Sequence, residues 1–151
     1  MMKKFLVRII LEEAIAFEEK AYRFYQNALS RAVMRESAQT LRKLLVSELT
    51  HRMKLDEIQR VGDLAEHQEN EMIEQEELEE IAGPWPELNP WSTREEVLEA
   101  ALRKETEAYE FYARVAARTP LQVVRDTFRL LAEEEIQHMK WIRKEMGEAQ
   151  E

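Results

Sequence analysis

Two short stretches carry residue types suited to metal chemistry. Glu48-Leu49-Thr50-His51 and Glu135-Ile136-Gln137-His138 are both Glu-x-x-His. On a helix the i, i+3 spacing puts carboxylate and imidazole on one face, where both can reach the same ion. One such motif is common in a glutamate-rich helix, but these two are related by an internal repeat of 87 positions. Over Leu11–Tyr25 against Leu98–Tyr112, 8 of 15 residues are identical, among them Glu18 with Glu105, Tyr22 with Tyr109 and Tyr25 with Tyr112. At the same offset and without a gap, Leu44, Glu48 and His51 fall on Leu131, Glu135 and His138. Each half thus offers one glutamate, then a Glu-x-x-His that begins 30 residues later.

The elements that must position these groups are helical. Only 3 Gly and 4 Pro occur in 151 residues, where average usage would give about 18, which argues against a turn-rich sandwich or barrel. Breaks at Ser30–Met34, Gly62-Asp63, Gly83–Pro90 and Thr119-Pro120 leave four segments of helical periodicity, near 3–30, 34–61, 93–118 and 120–147. Ser92-Thr93-Arg94-Glu95 reads as a capping box, Gly62 and Gly83 suit the left-handed position after a helix, and Pro120 suits a first helical position. The first and last breaks are short and predict antiparallel hairpins, whereas the roughly thirty-residue connection 62–92 can run the length of a bundle and leave helices two and three parallel. Within it, Glu71–Ala82 reads as a short amphipathic helix. The fold class is therefore all-α, a four-helix bundle of two helical hairpins in a single domain spanning 1–151.

On these helices the chemical residues face inward. The i±3, i±4 and i±7 neighbours of Glu18 include Leu11, Ala14, Ile15, Ala21, Tyr22 and Tyr25, and those of Glu105 are their repeat counterparts. Glu48 and His51 interrupt the stripe Leu41, Leu44, Leu55, Ile58, and Glu135 and His138 interrupt Phe128, Leu131, Ile142. Four carboxylates in one core repel, and an isolated buried ion costs several kcal/mol even after relaxation. Lys and Arg are absent from the interior positions, so protons or metal ions must compensate. Two Glu and two Glu-x-x-His on four helices form the ligand set of carboxylate-bridged di-iron and di-manganese bundles. Hard carboxylates with some imidazole favour iron or manganese, and zinc is also compatible.

Ala14–Tyr25, Glu48–His51, Glu105–Tyr112 and Glu135–His138 together resemble the rubrerythrin-like branch of the ferritin-like superfamily. The resemblance implies a ferritin-like bundle in which Glu18, Glu48, His51, Glu105, Glu135 and His138 ligate two irons, with Glu48 and Glu135 as bridges. It implies an oxidoreductase that reduces hydrogen peroxide or dioxygen and serves oxidative-stress defence as a homodimer. With no Cys there is no rubredoxin-type centre, so an external protein electron donor is expected. Ala108 stands where peroxidase-type members carry an extra carboxylate. Alternative readings are an iron-binding or ferroxidase storage protein and a metal-free helical interaction module.

Tyr22, Tyr25, Tyr109 and Tyr112 flank the glutamates and are candidates to hydrogen-bond them or donate an electron, Tyr25 and Tyr112 being assigned to the catalytic set. Trp85, Trp91 and Trp141 are read as covers of the bundle end or as interface residues, and His67 as a surface residue. The formal charge of −9 opposes nucleic acid and anionic membranes. Residues 61–90 hold ten acids and no Lys or Arg, leaving the remainder at +1, so the acidity belongs to the connection. The start Met1–Leu11 looks like a signal peptide, but Arg8 splits its apolar run and Glu12-Glu13 end it. A cytoplasmic protein without a membrane span is expected.

Overall fold

The computed structural model describes residues 4–60, 72–74, 85–119 and 121–147. Four long helices dominate: α1 (Val7–Leu29), α2 (Ala38–Arg60), α3 (Arg94–Arg118) and α4 (Gln122–Glu145). Two three-residue strands, β1 (Lys4–Leu6) and β2 (Met72–Glu74), pair antiparallel with Phe5 opposite Ile73. Among the described residues, no helix is long and apolar enough to cross a membrane.

The helix boundaries refine the sequence reading through local hydrogen-bond chemistry. α1 begins at Val7 rather than near residue 3, because Lys4–Leu6 pairs with a strand. The second segment opens with a 3-10 helix over Ala32–Ser37 that buries Met34, and the α-helix proper begins at Ala38. At the start of α3 the cap sits one residue later than expected. Thr93 Oγ1 accepts the Glu96 N–H at 3.1 Å, while Ser92 Oγ accepts the Asn89 N–H at 2.9 Å. Glu95 and Glu96 in the first turn complement the helix dipole. α4 starts at Gln122, two residues beyond Pro120, with Leu121 at the cap. The amphipathic helix expected over Glu71–Ala82 is contradicted at Met72–Glu74, which is strand. The remainder of that segment, with Gly62, His67, Gly83 and Pro120, lies outside the described residues.

Cross-helix contacts fix the directions. Tyr25 meets Glu105 and Tyr112 meets Glu18, so α1 and α3 run antiparallel. Thr40 meets Glu145 and Lys54 meets Glu134, so α2 and α4 do also. With α1 and α2 joined as a hairpin, α2 and α3 are parallel, as the long connection requires.

The core has two apolar halves. One contains Ile10, Leu11, Ala14 and Phe17 of α1, Leu55 and Ile58 of α2, Ala108–Ala116 positions of α3 and Val124–Ala132 positions of α4. The other contains Ala21–Ala28 positions of α1, Leu41 and Leu44 of α2, Val97–Ala101 positions of α3 and Ile142 of α4. The polar layer lies between them. Phe128, fully buried, packs edge-on against Tyr112 at 5.4 Å and tilted against Phe111 at 6.4 Å. Phe128→Ala is expected to cost about 3–5 kcal/mol through lost burial and the cavity it leaves, measurable by chemical denaturation of the metal-free protein.

Candidate metal centre

Each helix brings its polar groups to the same level of the bundle. α1 contributes Glu18, α2 Glu48 and His51, α3 Glu105, and α4 Glu135 and His138, all fully or almost fully buried. The i, i+3 geometry works as expected on α2, where Glu48 and His51 point inward while the intervening Leu49 and Thr50 are exposed. Donor atoms of Glu18, Glu48, His51 and Glu135 lie within 4.8 Å of one another, and so do those of Glu48, Glu105, Glu135 and His138. Glu48 and Glu135 are common to both groups.

Each imidazole presents Nδ1 to the carboxylates. His51 Nδ1 is 3.3 Å from Glu18 and 3.2 Å from Glu135, and His138 Nδ1 is 3.2 Å from Glu48 and 3.4 Å from both Glu105 and Glu135. The two rings stack at 5.3 Å with an interplanar angle of 12°.

The tyrosines act across the bundle rather than along their own helix. Tyr25 donates to Glu105 at 2.5 Å, and its repeat counterpart Tyr112 donates to Glu18. Burial, with the charges of Glu105 and Glu18 respectively, raises both phenols well above their ordinary value. Tyr22 and Tyr109 are half-buried; Tyr22 lines a cavity of about 360 Å³ that reaches Glu18 and Glu48 and is bordered by Glu19, Arg23 and Arg52. Arg52 pairs with Glu19 at 3.0 Å there. Trp85 is half-buried against Phe17, Phe24 and Tyr25, Trp91 is exposed, and Trp141 stacks on His138 at 5.4 Å.

Burial and mutual repulsion of the carboxyls favour protons on this layer when no metal is bound. Burial pushes Glu48 well above the usual carboxylate range, and Glu105, Glu18 and Glu135 push it further. Glu135 is raised to about 8 by burial and by the charge of Glu105. Burial would lower His51, but Glu18 and the contacts with Glu134 and Glu135 outweigh it and raise the imidazole to about 12. His138 is likewise raised to about 10 against the effect of burial, by Glu105 and Glu135. Glu105 goes the other way. Burial opposes its ionisation, but contact with Glu135 and the charge of His138 hold it well below the usual range.

Metal fits this layer better than protons alone. Glu18 Oε2 and both oxygens of Glu48 and of Glu135 are buried without a hydrogen bond. The imidazole Nδ1 atoms approach Glu48 Oε1 and the two Glu135 oxygens at 3.2–3.4 Å, and no cationic nitrogen pairs with Glu18 Oε2 or Glu48 Oε2 among the described residues, an arrangement that is costly unless something electropositive meets them.

Two residues absent from the sequence-derived site also touch it. His51 Nε2 lies 2.5 Å from Glu134 Oε2, and His138 Nε2 lies 2.6 Å from Ser47 Oγ. Ser47 and Glu134 occupy equivalent positions of the 87-residue repeat, each directly before a Glu-x-x-His glutamate. Their mismatch beside matched residues was the available signal.

The rubrerythrin family model matches residues 96–151, which span nearly all of α3 together with α4. No curated protein and no solved structure matches the chain. The rubrerythrin match over the second helical pair, joined to buried carboxylate and histidine groups from all four helices that could bind metal, is consistent with a di-iron protein of the ferritin-like type.

Proposed function

We propose that the chain is a non-haem di-iron oxidoreductase that reduces hydrogen peroxide or dioxygen. Glu18, Glu48, His51, Glu105, Glu135 and His138 would hold two irons, with Glu48 and Glu135 within reach of both. The observation that carries this reading is the overlap of two four-residue donor groups at Glu48 and Glu135, combined with the oxygens of those two side chains, which lack a hydrogen bond. One ion in each group would share both bridges. Two ferrous ions held there would supply the two electrons that, with two protons, reduction of one peroxide to two waters consumes.

The remaining work belongs to the chain. The cavity reaching Glu18 and Glu48 gives a small oxidant a route from solvent, and the surrounding apolar halves restrict water elsewhere. Tyr25 and Tyr112 keep their protons at neutral pH and orient Glu105 and Glu18 through their hydroxyls. An external protein electron donor would supply the electrons for a further cycle.

Anaerobic iron titration followed by stopped-flow mixing with peroxide and with dioxygen in parallel tests the proposal. About two irons per chain and rapid oxidation are expected, with the rate ratio naming the oxidant. Glu48→Ala and Glu135→Ala are each expected to reduce the rate at least a hundredfold. Unchanged rates in both variants, or many ferric ions per chain, would overturn it.

A further inference from the structure

We infer that the two metal positions are inequivalent, and that Glu134 makes the His51 position the tighter one. The inference rests on the di-metal reading above and concerns the far side of each imidazole. Nδ1 of both rings faces the carboxylates, so a metal held through Nδ1 would leave Nε2 to carry the proton and face outward. On the His51 side the nearest oxygen is a carboxylate one, Glu134 Oε2, 2.5 Å from Nε2. On the His138 side it is a neutral hydroxyl, Ser47 Oγ, 2.6 Å from Nε2. Ser47 Oγ also lies 3.5 Å from His51 Nε2, so it reaches both imidazoles, while Glu134 Oε2 approaches His51 more closely.

The difference extends one shell further out. Lys54 and Trp141 are repeat counterparts; Lys54 holds Glu134 at 3.1 Å, whereas Trp141 stacks on His138. The outer neighbour of one imidazole is therefore a carboxylate paired with Lys54 and that of the other a hydroxyl, although their inner ligands are matched. Beyond Trp141 the Lys43 ammonium lies 4.7 Å from the indole.

A carboxylate that accepts the outer N–H of a ligating histidine fixes its tautomer and raises its basicity, and loss of such a partner commonly costs 10–100-fold in metal affinity. A hydroxyl does less, because it carries no charge. Glu134 is thus a positioning residue that acts through His51. The ion held by His51 binds first, and its higher oxidation state is the better stabilised.

Cobalt(II) titration of the metal-free protein, followed by ligand-field absorption and calorimetry, reads this without any turnover. The wild-type protein should bind two ions in resolved steps. Glu134→Gln keeps the side chain's shape but removes its charge, and should weaken the first step about tenfold while leaving the second unchanged. Lys54→Met breaks the ion pair with Glu134 but leaves the contact with His51, and should not weaken the first step. A merely structural role for Glu134 would make these two variants alike. Equal weakening of both steps in Glu134→Gln, or none, overturns the inference while the di-metal reading stands. No cobalt binding by the wild-type protein overturns both.

Discussion

Addition of Mn(II) or Zn(II) to the metal-free protein is expected to raise its melting temperature, by an increment that grows from pH 6 to pH 8.5. In the metal-free state protons occupy the cation site. His51 and His138 are raised to about 12 and about 10 from an ordinary 6.5. Glu135 is raised to about 8 from 4.5, and Glu48 shifts in the same direction. A folded state that binds more protons than the unfolded chain loses stability as pH rises. The contribution of the carboxyls is full below pH 4.5 and declines through Glu135's value of about 8. That of the imidazoles is full below 6.5 and declines through about 10 and about 12. Glu134, lowered to about 2 by contact with His51, opposes this trend only below pH 4.5. Metal binding has the opposite dependence. Each ligand must shed its proton first, so affinity rises by about tenfold per pH unit for every proton displaced. A site occupied at about a thousand times its Kd adds about 4 kcal/mol. Calorimetry with chelator and with metal, across pH 6–8.5, should give diverging curves, and parallel curves would refute the assignment.

Glu48→Leu is expected to stabilise the metal-free protein while abolishing tight metal binding. Glu48 is fully buried, and neither of its oxygens accepts a hydrogen bond. Replacing such a group with an apolar side chain of similar size removes a desolvation penalty of about 1–3 kcal/mol, set against loss of the 3.2 Å approach to His138 Nδ1. The same change deletes a carboxylate common to both donor groups, so metal affinity should fall at least a hundredfold. Glu18→Leu makes a useful contrast, because it strands the buried hydroxyl of Tyr112 and should destabilise instead. Denaturant titrations of both metal-free variants, with metal-binding isotherms, check the pair. Destabilisation by Glu48→Leu would show that the layer is built for structure rather than for a cation.

Most of this arrangement is legible in the amino-acid order, for reasons particular residues make clear. The six inward groups stand at helical spacing within apolar stripes, and the repeat ties them to one another; burial follows from that periodicity. The helices and their hairpin pairing follow from length and punctuation. Partners across the bundle are harder. Tyr25 is seven residues from Glu18 and reads as its neighbour, yet antiparallel packing of α1 on α3 delivers it to Glu105, 80 residues away. Glu134 sits in a run of three glutamates, Glu133–Glu135, and only the facing helix singles it out. At the α3 start, Ser92 and Thr93 can each cap, and the choice is made by Asn89, whose N–H takes Ser92. The pairing of Lys4–Leu6 with Met72–Glu74 is long-range and leaves no mark on helical periodicity.

The reciprocal tyrosine contacts bear on how such a molecule is assembled. Neither hairpin supplies the hydroxyl for its own first-helix glutamate: Tyr25 serves the second half and Tyr112 serves the first. A single hairpin is therefore incomplete alone, while two copies of one hairpin, placed about a twofold axis, would complete each other. Joining them in one polypeptide replaces a concentration-dependent encounter by an intramolecular one at high effective concentration. It also frees each copy to change separately, which two identical chains cannot do, and Ser47 opposite Glu134 records such a divergence.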